Sequence, residues 1–547
     1  MRLGRVSVVN HSRLADWNIE VRKHLVLVGA NDVGKTSFLR LVNLTLGPTA
    51  QLYQQLSTAD IGDTSRPLEV CVTFVAFSEL DRALFHREID VDPNDGNESL
   101  EVRLEVSIDP EDEESVTLRR WCPGRGEVRN VTRDQIAAFG WRYMPATRQS
   151  QLDGPGGAIQ SLLRAAEPTL GADAAALTGV LAAFNEELAS NQRLSDLRTG
   201  VATHMSSAMP RSIEAEDLAV RTSANPTDSV LENVSLYLSR DNAFVRLSEQ
   251  SDGIRQLIAM TLFDLAEGAA NVVAVDEPEL HLHPLSQRTV ADLLSSASNQ
   301  KILVTHSPYI VQKFDPTEVV TVRADGSAKQ IMPAQLTVEE RAQAHWWSPR
   351  MLEALTARVA VLVEGIADRL ILESAARARG FSLDRHGVVI FELGGSENFP
   401  AVYKLLGPKG FDITVLGLVD EAERHPWVGA VGGKPVNVID RIVFVSSTDL
   451  EDEYCRAVGP VATAERLIAA GVARDERAIL SSCGVTDLEN LEYTAVAKFC
   501  RSNASSGKGS RKVPSALAIG KTLTSSEAEK ITSIKKLLDE VQRRVAE

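Results

Sequence analysis

The sequence predicts an α/β protein in which buried parallel strands are covered by helices. Short β-branched runs recur along the chain, among them "HLVLVG", "NVVAVD", "KILVTH", "VAVLVEG" and "RIVFVS". Their apolar residues are consecutive rather than alternating, which is typical of strands buried on both faces of a parallel sheet. Helical segments such as 285–297 and 366–379 lie between these runs. This alternation of strand and helix indicates an α/β fold throughout.

Length and composition limit the class of protein. A chain of 547 residues is long enough for about three domains. Its formal net charge is −16, so contact with nucleic acid has to come from local basic patches. The five cysteines are scattered without a C-x-x-C pair, which argues against a zinc ribbon and favours a soluble protein of the reducing cytoplasm. The sequence contains no run of about 18 apolar residues, so we expect no membrane-spanning segment.

The segment "LVLVGANDVGKTSFLRL" has the order strand, glycine loop, helix and satisfies the pattern G-x-x-x-x-G-K-[ST]. Glycines let the backbone wrap around phosphates, and the amide groups at the start of the helix point at them. Lys35 is expected to neutralise the β- and γ-phosphates of ATP, and Thr36 to ligate Mg²⁺. The predicted phosphate-binding residues are Gly29, Asn31, Gly34, Lys35, Thr36 and Ser37.

A second apolar strand, in "NVVAVDEPELHLHP", ends at Asp276 and Glu277. We expect Asp276 to hold the Mg²⁺ of the nucleotide and Glu277 to act as the base that orients the attacking water. The segment "KILVTHSP" places His306 at another strand end, where it could sense the γ-phosphate. His281 and His283 lack a third ligand at suitable spacing, so we interpret them as part of a structural turn.

The segment "LSEQSDGIRQLIAM" opens a helix at Ser251 and Gly253, whose amide groups could bind a phosphate. It resembles a degenerate signature motif of ABC-type ATPases, which caps the ATP held by the opposite subunit. The resemblance therefore implies that two heads associate. The order of the motifs is similar to that of the RecF/Rad50-like branch of this superfamily.

Three later strand ends carry carboxylates. In a parallel sheet they meet at the carboxyl edge, where α/β proteins place their sites. Clustered acids repel one another unless a cation neutralises them, and oxygen ligands suit Mg²⁺ or Mn²⁺. The alternative is that they are solvated strand ends and helix caps. The predicted metal ligands are Glu364, Asp368, Asp420, Glu423, Asp449 and Glu451.

A Glu-Gly pair after one strand, an acid pair after a later strand and a further acidic motif resemble a Toprim domain. An ABC-type head followed by a Toprim domain resembles the OLD family of ATP-dependent endonucleases, which includes the nuclease of the Gabija anti-phage system. The resemblance implies an ATPase domain over 1–330 with a helical insertion at about 152–222, a helical connector over 331–357, a Rossmann-like Toprim domain with a mainly parallel sheet over 358–520, and a C-terminal helix over 521–547.

One departure from the family pattern concerns the second acidic motif. The family has Asp-x-Asp, whereas this chain has Asp420-Glu421-Ala422-Glu423, so Ala422 stands in the place of the second acid. Glu423 or Glu421 could substitute with a longer reach. Proteins of the OLD family also carry a late lysine near the scissile phosphate, for which Lys512 is the candidate, with Lys508 next; a merely solubilising loop is the alternative.

Taken with the resemblance, these motifs predict an ATP-regulated, divalent-metal-dependent DNA endonuclease of anti-phage defence or DNA processing. The expected cofactors are ATP and Mg²⁺ or Mn²⁺. The expected partners are DNA, a second copy of the chain (or a higher homo-oligomer) joined through the ATPase heads, and a partner defence protein. An ATPase sensor or scaffold with a non-cutting Toprim domain, controlling a partner effector, is the alternative.

Overall fold

A computed structural model of the chain describes residues 1–48, 56–108, 116–124, 129–146, 172–193, 270–337, 349–503 and 509–546, with scattered residues and two short strands between 195 and 260 and one residue at 339. The chain divides into two compact units. One consists of Met1–Gln135 with Ile302–Glu547, and the other of Ile136–Lys301.

The strands are β1 Arg2–Val9, β2 Trp17–Glu20, β3 Leu25–Gly29, β4 Leu68–Val75, β5 Ile89–Val91, β6 Glu98–Ile108, β7 Val116–Cys122, β8 Arg129–Asn130, β9 Trp141–Met144, β10 Tyr237–Arg240, β11 Ala243–Arg246, β12 Val272–Asp276, β13 Gln300–Val304, β14 Val319–Val322, β15 Ala328–Gln330, β16 Val359–Val363, β17 Val388–Glu392, β18 Thr414–Asp420 and β19 Val443–Ser446.

The helices are α1 Lys35–Leu46, α2 Glu79–Leu84, α3 Arg133–Ala138, α4 Ala172–Ser190, α5 Pro284–Ser296, α6 Pro308–Val311, α7 Pro349–Thr356, α8 Ile366–Ala378, α9 Phe399–Leu406, α10 Arg424–Val431, α11 Pro435–Val438, α12 Leu450–Val458, α13 Pro460–Ala469, α14 Glu476–Cys483, α15 Tyr493–Arg501, α16 Lys512–Thr522, α17 Ser525–Ala528 and α18 Thr532–Ala546.

The first unit begins with an antiparallel sheet in the order β2-β1-β4-β6-β7-β8, with β5 paired to β6. Buried and accessible residues alternate along β1, β4 and β6, as expected for a sheet with one face in the core. Helix α1 packs on β4 and β6 and covers that face. This sheet was not predicted, because the strand predictions rested on consecutive apolar runs, whereas its strands have alternating apolar residues.

The predicted parallel arrangement is present beside it in the same unit. Strands β13 and β14 both pair with β3 in parallel, and β15 pairs with β14 in antiparallel fashion. All five residues of β3 are buried, so the run "LVLVG" is a strand covered on both faces. The carboxyl ends of β3, β13 and β14 therefore lie at one edge.

The second unit contains a parallel pair of β12 and β9 and an antiparallel hairpin of β10 and β11. Helix α4 lies in the segment predicted as a helical insertion at about 152–222. Most of that segment lies outside the described residues, so the boundaries of the insertion stay a prediction.

The carboxyl-terminal part of the first unit is a four-stranded parallel sheet in the order β17-β16-β18-β19. Helix α18 packs on β16, β18 and β19, whereas α9 packs on β18. Gly417 of β18 leaves room for the stacked rings of Phe399 and Trp427, whose centroids are 3.9 Å apart. Helices thus cover the sheet, and its carboxyl edge stays open for the acidic residues.

Candidate metal and nucleotide sites

The loop between β3 and α1 has the backbone shape that the glycine pattern predicts. Gly34 has a φ of 96°, in the left-handed region that favours glycine, and it precedes α1 without a side-chain cap. A Cβ atom at Gly29 would clash with the carbonyl oxygen of Val322. The side chain of Lys35 is buried, and its Nζ donates hydrogen bonds to the carbonyl oxygens of Gly29 and Ala30 at 3.1 and 2.5 Å. The lysine thus already lies within the loop.

The other predicted residues of this half take the expected positions along the chain. Thr36 and Ser37 lie in the first turn of α1, and Asn31 is exposed in the loop. His306 follows β13, and Thr305 donates its amide to the carbonyl oxygen of Leu27 at 3.2 Å. Because β13 runs parallel to β3, His306 lies at the same edge of the sheet as the loop.

The second unit carries the remaining predicted nucleotide residues. Asp276 is buried as the last residue of β12, and Glu277 has a φ of 46°. Gly253 lies in a helical turn, where a Cβ atom would be 3.0 Å from the carbonyl oxygen of His281. Ser251 lies outside the described residues. The roles of all four residues stay predictions.

His281 and His283 lie at the turn that precedes α5. His281 has a φ of 60°, and His283 accepts the amide of Leu285 at 3.4 Å as the cap of α5. This geometry agrees with their interpretation as structural residues.

The acidic residues after the parallel strands converge at the carboxyl edge of the sheet. Glu364 follows β16, Asp420 ends β18, and Glu423 lies in a single 3₁₀ turn, Glu421–Glu423. Carboxylate oxygens of Glu364, Asp420 and Glu423 lie within 4.8 Å of one another. The 3₁₀ turn brings Glu423 to the cluster, whereas Glu421 pairs with Arg424 at 2.7 Å. A carboxylate oxygen of Glu423 thus lies near Glu364 and Asp420, and its role as a substitute for the second acid stays a prediction.

Two further carboxylates border this cluster. Asp368 is buried in the first turn of α8 and accepts the amide of Gly365 at 2.9 Å. Glu451 is 1% exposed, and its Oε2 atom has no hydrogen-bond partner among the described residues. Leu450 donates its amide to Asp420 Oδ1 at 3.1 Å, which joins the end of β18 to the start of α12. A buried carboxylate oxygen without a donor fits a cation ligand.

The electrostatics of the cluster also favour a cation. Burial, with neighbouring carboxylates adding to it, raises the pKa of Asp420 and of Glu451 to about 7 and also raises the pKa of Glu364. Burial raises the pKa of Asp368 as well. Lys512 opposes these shifts; its Nζ lies 3.8 Å from Glu451 Oε1. Burial alone would lower the pKa of Lys512, but these four carboxylates outweigh it and raise that pKa. One ammonium group does not balance this many carboxylates.

Asp449 lies at the rim of the cluster with other partners. It caps α12 by accepting the amide of Asp452 at 2.9 Å, and it forms an ion pair with Arg501. The helix-cap alternative thus describes Asp449 in this conformation, and its role as a ligand stays a prediction. Arg501 was missed by the sequence analysis, as was Glu397, which contributes to the raised pKa of Glu364. Glu397 follows β17 after "LGGS", and a fourth strand end was its signal.

Comparisons with known families match two separate parts of the chain. Residues 158–312 match the family "AAA domain, putative AbiEii toxin, Type IV TA system". Residues 355–421 match "Overcoming lysogenization defect protein-like, TOPRIM domain". The chain joins an ATPase domain to an OLD-like TOPRIM domain. The resemblance to the OLD family that the motifs indicated is confirmed.

Individual proteins are similar over much of the chain. Endonuclease GajA of Bacillus cereus (strain VD045) is 19% identical over 440 residues, which are 72% of this chain and 71% of GajA. The carboxyl-terminal region of the Burkholderia pseudomallei OLD protein is 23% identical over 35% of this chain and 98% of that one, with a TM-score of 0.28. The SMC head domain from Thermotoga maritima is 11% identical over 61% of this chain and 100% of that one, with a TM-score of 0.30.

In the part of the chain that the structure describes, no helix combines the length and hydropathy that crossing a bilayer requires.

The raised pKa values predict a specific pH response of the ion-free TOPRIM domain. Unfolded carboxyls titrate at about 4, whereas Asp420 and Glu451 titrate at about 7 in the fold. The fold therefore disfavours their ionised forms. Their contribution to the free energy of unfolding is fully present below about pH 4 and is lost as the pH rises from there through about 7. We expect thermal unfolding in EDTA at a higher temperature at pH 6 than at pH 8. Saturating Mg²⁺ should weaken or reverse this trend, and an unchanged pH dependence with Mg²⁺ would contradict it.

Glu453 has a structural role that its place in an acidic run did not reveal. Its carboxylate is 3% exposed and accepts the amide of Ser447 at 2.9 Å and both the amide and the hydroxyl of Ser533 at 3.0 and 2.7 Å. It thereby joins the loop after β19 to the start of α18.

Replacing Glu453 with alanine should loosen α18, because the two buried donors of Ser533 and the amide of Ser447 lose a charged acceptor. We expect the amides of 532–546 to lose about 3 kcal/mol of protection against hydrogen exchange. The exposed Glu489 of the same domain provides the control. Equal protection in Glu453→Ala and Glu489→Ala would contradict this role.

Proposed function

We propose that the chain is a divalent-metal-dependent DNA endonuclease whose activity is regulated by ATP. The observation that carries the proposal is the convergence of Glu364, Asp420 and Glu423 within 4.8 Å at one sheet edge. The OLD-like TOPRIM match and the similarity to an endonuclease support a nuclease function. The Nζ atom of Lys512 lies 3.8 Å from Oε1 of the neighbouring Glu451 and provides a positive charge for a phosphodiester.

The side chains of the TOPRIM domain have distinct proposed roles. Glu364, Asp420 and Glu423 would hold a divalent ion, with Asp368, Glu451 and Asp449 as supporting ligands. When bound, such an ion supplies Lewis-acid activation of the phosphodiester and of water. The buried, unpartnered oxygen of Glu451 and the all-oxygen donor set fit Mg²⁺ or Mn²⁺.

Lys512 would bind the scissile phosphate as a positioning cation. Its side chain is 29% exposed, so the ammonium group can meet a phosphate from solvent while it stays near the acids. Helix α16, which Lys512 begins, packs on α8, the helix that begins two residues after Glu364. This packing keeps the lysine and the acids in one arrangement.

The predicted nucleotide-binding residues have proposed roles in ATP binding and hydrolysis. Lys35 would exchange its carbonyl partners for the β- and γ-phosphates of ATP. Asp276 would hold the Mg²⁺ of the nucleotide, Glu277 would orient water, and His306 would sense the γ-phosphate. We propose that Ser251 and Gly253 contact the ATP of a second copy, so that ATP closes a homodimer of heads.

An ATPase sensor with a non-cutting TOPRIM domain is the second candidate. Its support was the replacement of an acid by Ala422. The carboxylate of Glu423 reaches the position near Glu364 and Asp420, which favours a complete ligand set over a degraded one. On the family resemblance alone we also propose a role in anti-phage defence and a partner defence protein. The scattered cysteines support the further proposal of a cytoplasmic location.

A plasmid assay distinguishes these two functions. Purified full-length protein is incubated with supercoiled plasmid in Mg²⁺ or Mn²⁺, with and without ATP, while ATP hydrolysis is followed in parallel. The endonuclease is expected to produce nicked or linear DNA in a reaction that EDTA stops. ATP hydrolysis without cleavage under every combination would favour the sensor and contradict the endonuclease.

A further inference from the structure

Helix α7 lies between the nucleotide-binding loop and the TOPRIM sheet within one compact unit. It packs on β3, which precedes the nucleotide-binding loop, and on α6, which begins two residues after His306. It also packs on β17 of the TOPRIM sheet. Its residues Met351 and Leu355 are each 2% exposed. Because such interfaces are close-packed, a shift of β3 or α6 on nucleotide binding has to be accommodated by α7.

One carboxylate connects α7 to the helix that carries a predicted metal ligand. Glu392, the last residue of β17, lies with its Oε1 atom 2.5 Å from Arg350 Nη1 of α7. The same oxygen accepts a hydrogen bond from Arg369 Nη1 of α8 at 3.2 Å. Arg350 and Arg369, from two different helices, thus contact the same carboxylate oxygen. A movement of Arg350 therefore changes the interaction between Glu392 and Arg369.

Arg369 follows Asp368 in the chain, at the start of α8. That turn is held from within by the hydrogen bond between the Gly365 amide and Asp368. A shift of Arg369 therefore moves the turn that places Asp368 and the neighbouring Glu364. The nucleotide-binding loop is thus connected to the acidic residues through α7, Glu392 and the start of α8.

We propose that Glu392 is a positioning residue that couples nucleotide binding to the divalent-ion affinity of the acidic cluster, acting through Arg350 and Arg369. The inference rests on the proposed function of that cluster as a metal site. Nucleotide binding changes the packing of α7, and this alters the ion pair between Arg350 and Glu392. The altered Glu392 carboxylate then shifts Arg369, and with it the start of α8. Coupling of this kind is reciprocal, so a divalent ion at the cluster changes nucleotide affinity by the same factor.

The test measures Mn²⁺ binding to full-length protein by titration, with and without a non-hydrolysable ATP analogue. Signal that Glu364→Ala removes is assigned to the acidic cluster. We expect the analogue to change the Mn²⁺ dissociation constant at this site by about fivefold or more in the unmodified protein. In Glu392→Gln the change should be less than about twofold, with ATP hydrolysis and thermal unfolding retained.

Two sets of matched variants separate coupling from general damage. Glu373 also pairs with Arg369, at 2.5 Å, but among the described side chains it forms no ion pair or hydrogen bond with α7, so Glu373→Gln should keep the response of the unmodified protein. Arg350→Gln should behave as Glu392→Gln does, and Arg350→Lys should restore most of the response.

The outcomes are decisive for this proposal. A Glu392→Gln protein that keeps the full nucleotide response overturns it, as does an unmodified protein without any response. Absence of Glu364-dependent Mn²⁺ binding overturns both the coupling and the proposed metal site. A normal nucleotide response in a protein that never nicks plasmid contradicts the endonuclease and leaves the coupling established.

Discussion

Replacing Glu364 with alanine should reduce plasmid cleavage by at least about 100-fold, because it removes a carboxylate from the centre of the proposed metal site. Glu364 lies within 4.8 Å of Asp420 and Glu423, and its pKa is raised by burial and by neighbouring acids. Its loss weakens the binding of the divalent ion and leaves Lys512 with fewer opposing charges. The measurement is the initial rate of plasmid nicking at a fixed, saturating Mg²⁺ concentration.

Glu421 provides the matched control for this variant. It has the same side chain and lies in the same turn as Glu423, but its carboxylate pairs with Arg424. Such exposed pairs contribute little, so Glu421→Ala should nick plasmid within about twofold of the unmodified protein. If Glu421→Ala lost activity and Glu364→Ala kept it, the assignment of the metal ligands would be wrong.

Replacing Lys35 with alanine should reduce ATP hydrolysis by about 100-fold or more, because it removes the cation that neutralises the β- and γ-phosphates. The buried Lys35 side chain is held by two loop carbonyl oxygens, so its charge lies where the phosphates would enter. The measurement is ATP turnover by the full-length protein at saturating ATP, together with the binding of a fluorescent ATP analogue.

The exposed Lys23, two residues before β3 in the same unit, serves as the control lysine. Lys23→Ala should hydrolyse ATP at the unmodified rate. Hydrolysis that survives in Lys35→Ala would show that this loop is not the nucleotide site. Plasmid nicking by Lys35→Ala should no longer respond to ATP, while its dependence on Mg²⁺ should stay.

The parts of the fold that the sequence predicted are those governed by local pattern. Consecutive apolar runs predicted the buried strands β3, β16 and β18, and the glycine spacing predicted the loop before α1. Glu364 and Asp420 were found because a parallel sheet brings the carboxyl ends of its strands together. In these places a few neighbouring residues decide the structure.

The remaining features depend on contacts between distant segments. That Glu423 and not Glu421 faces the cluster follows from a 3₁₀ turn and an ion pair with Arg424. The anchoring of Glu453 depends on Ser533, which lies 80 residues further along the chain. The antiparallel sheet had a visible signal in the alternation along β1, β4 and β6, and sequence reasoning that weighed only consecutive runs overlooked it.

A crystal structure of the full-length protein with Mn²⁺ tests the central claim most directly, because anomalous diffraction locates the ion independently of activity. We expect an anomalous peak in contact with carboxylate oxygens of Glu364, Asp420 and Glu423, and loss of that peak in Glu364→Ala crystals. A fully occupied Mn²⁺ elsewhere, with these three carboxylates bound only to protein groups, would contradict the proposed metal site and with it the proposed nuclease.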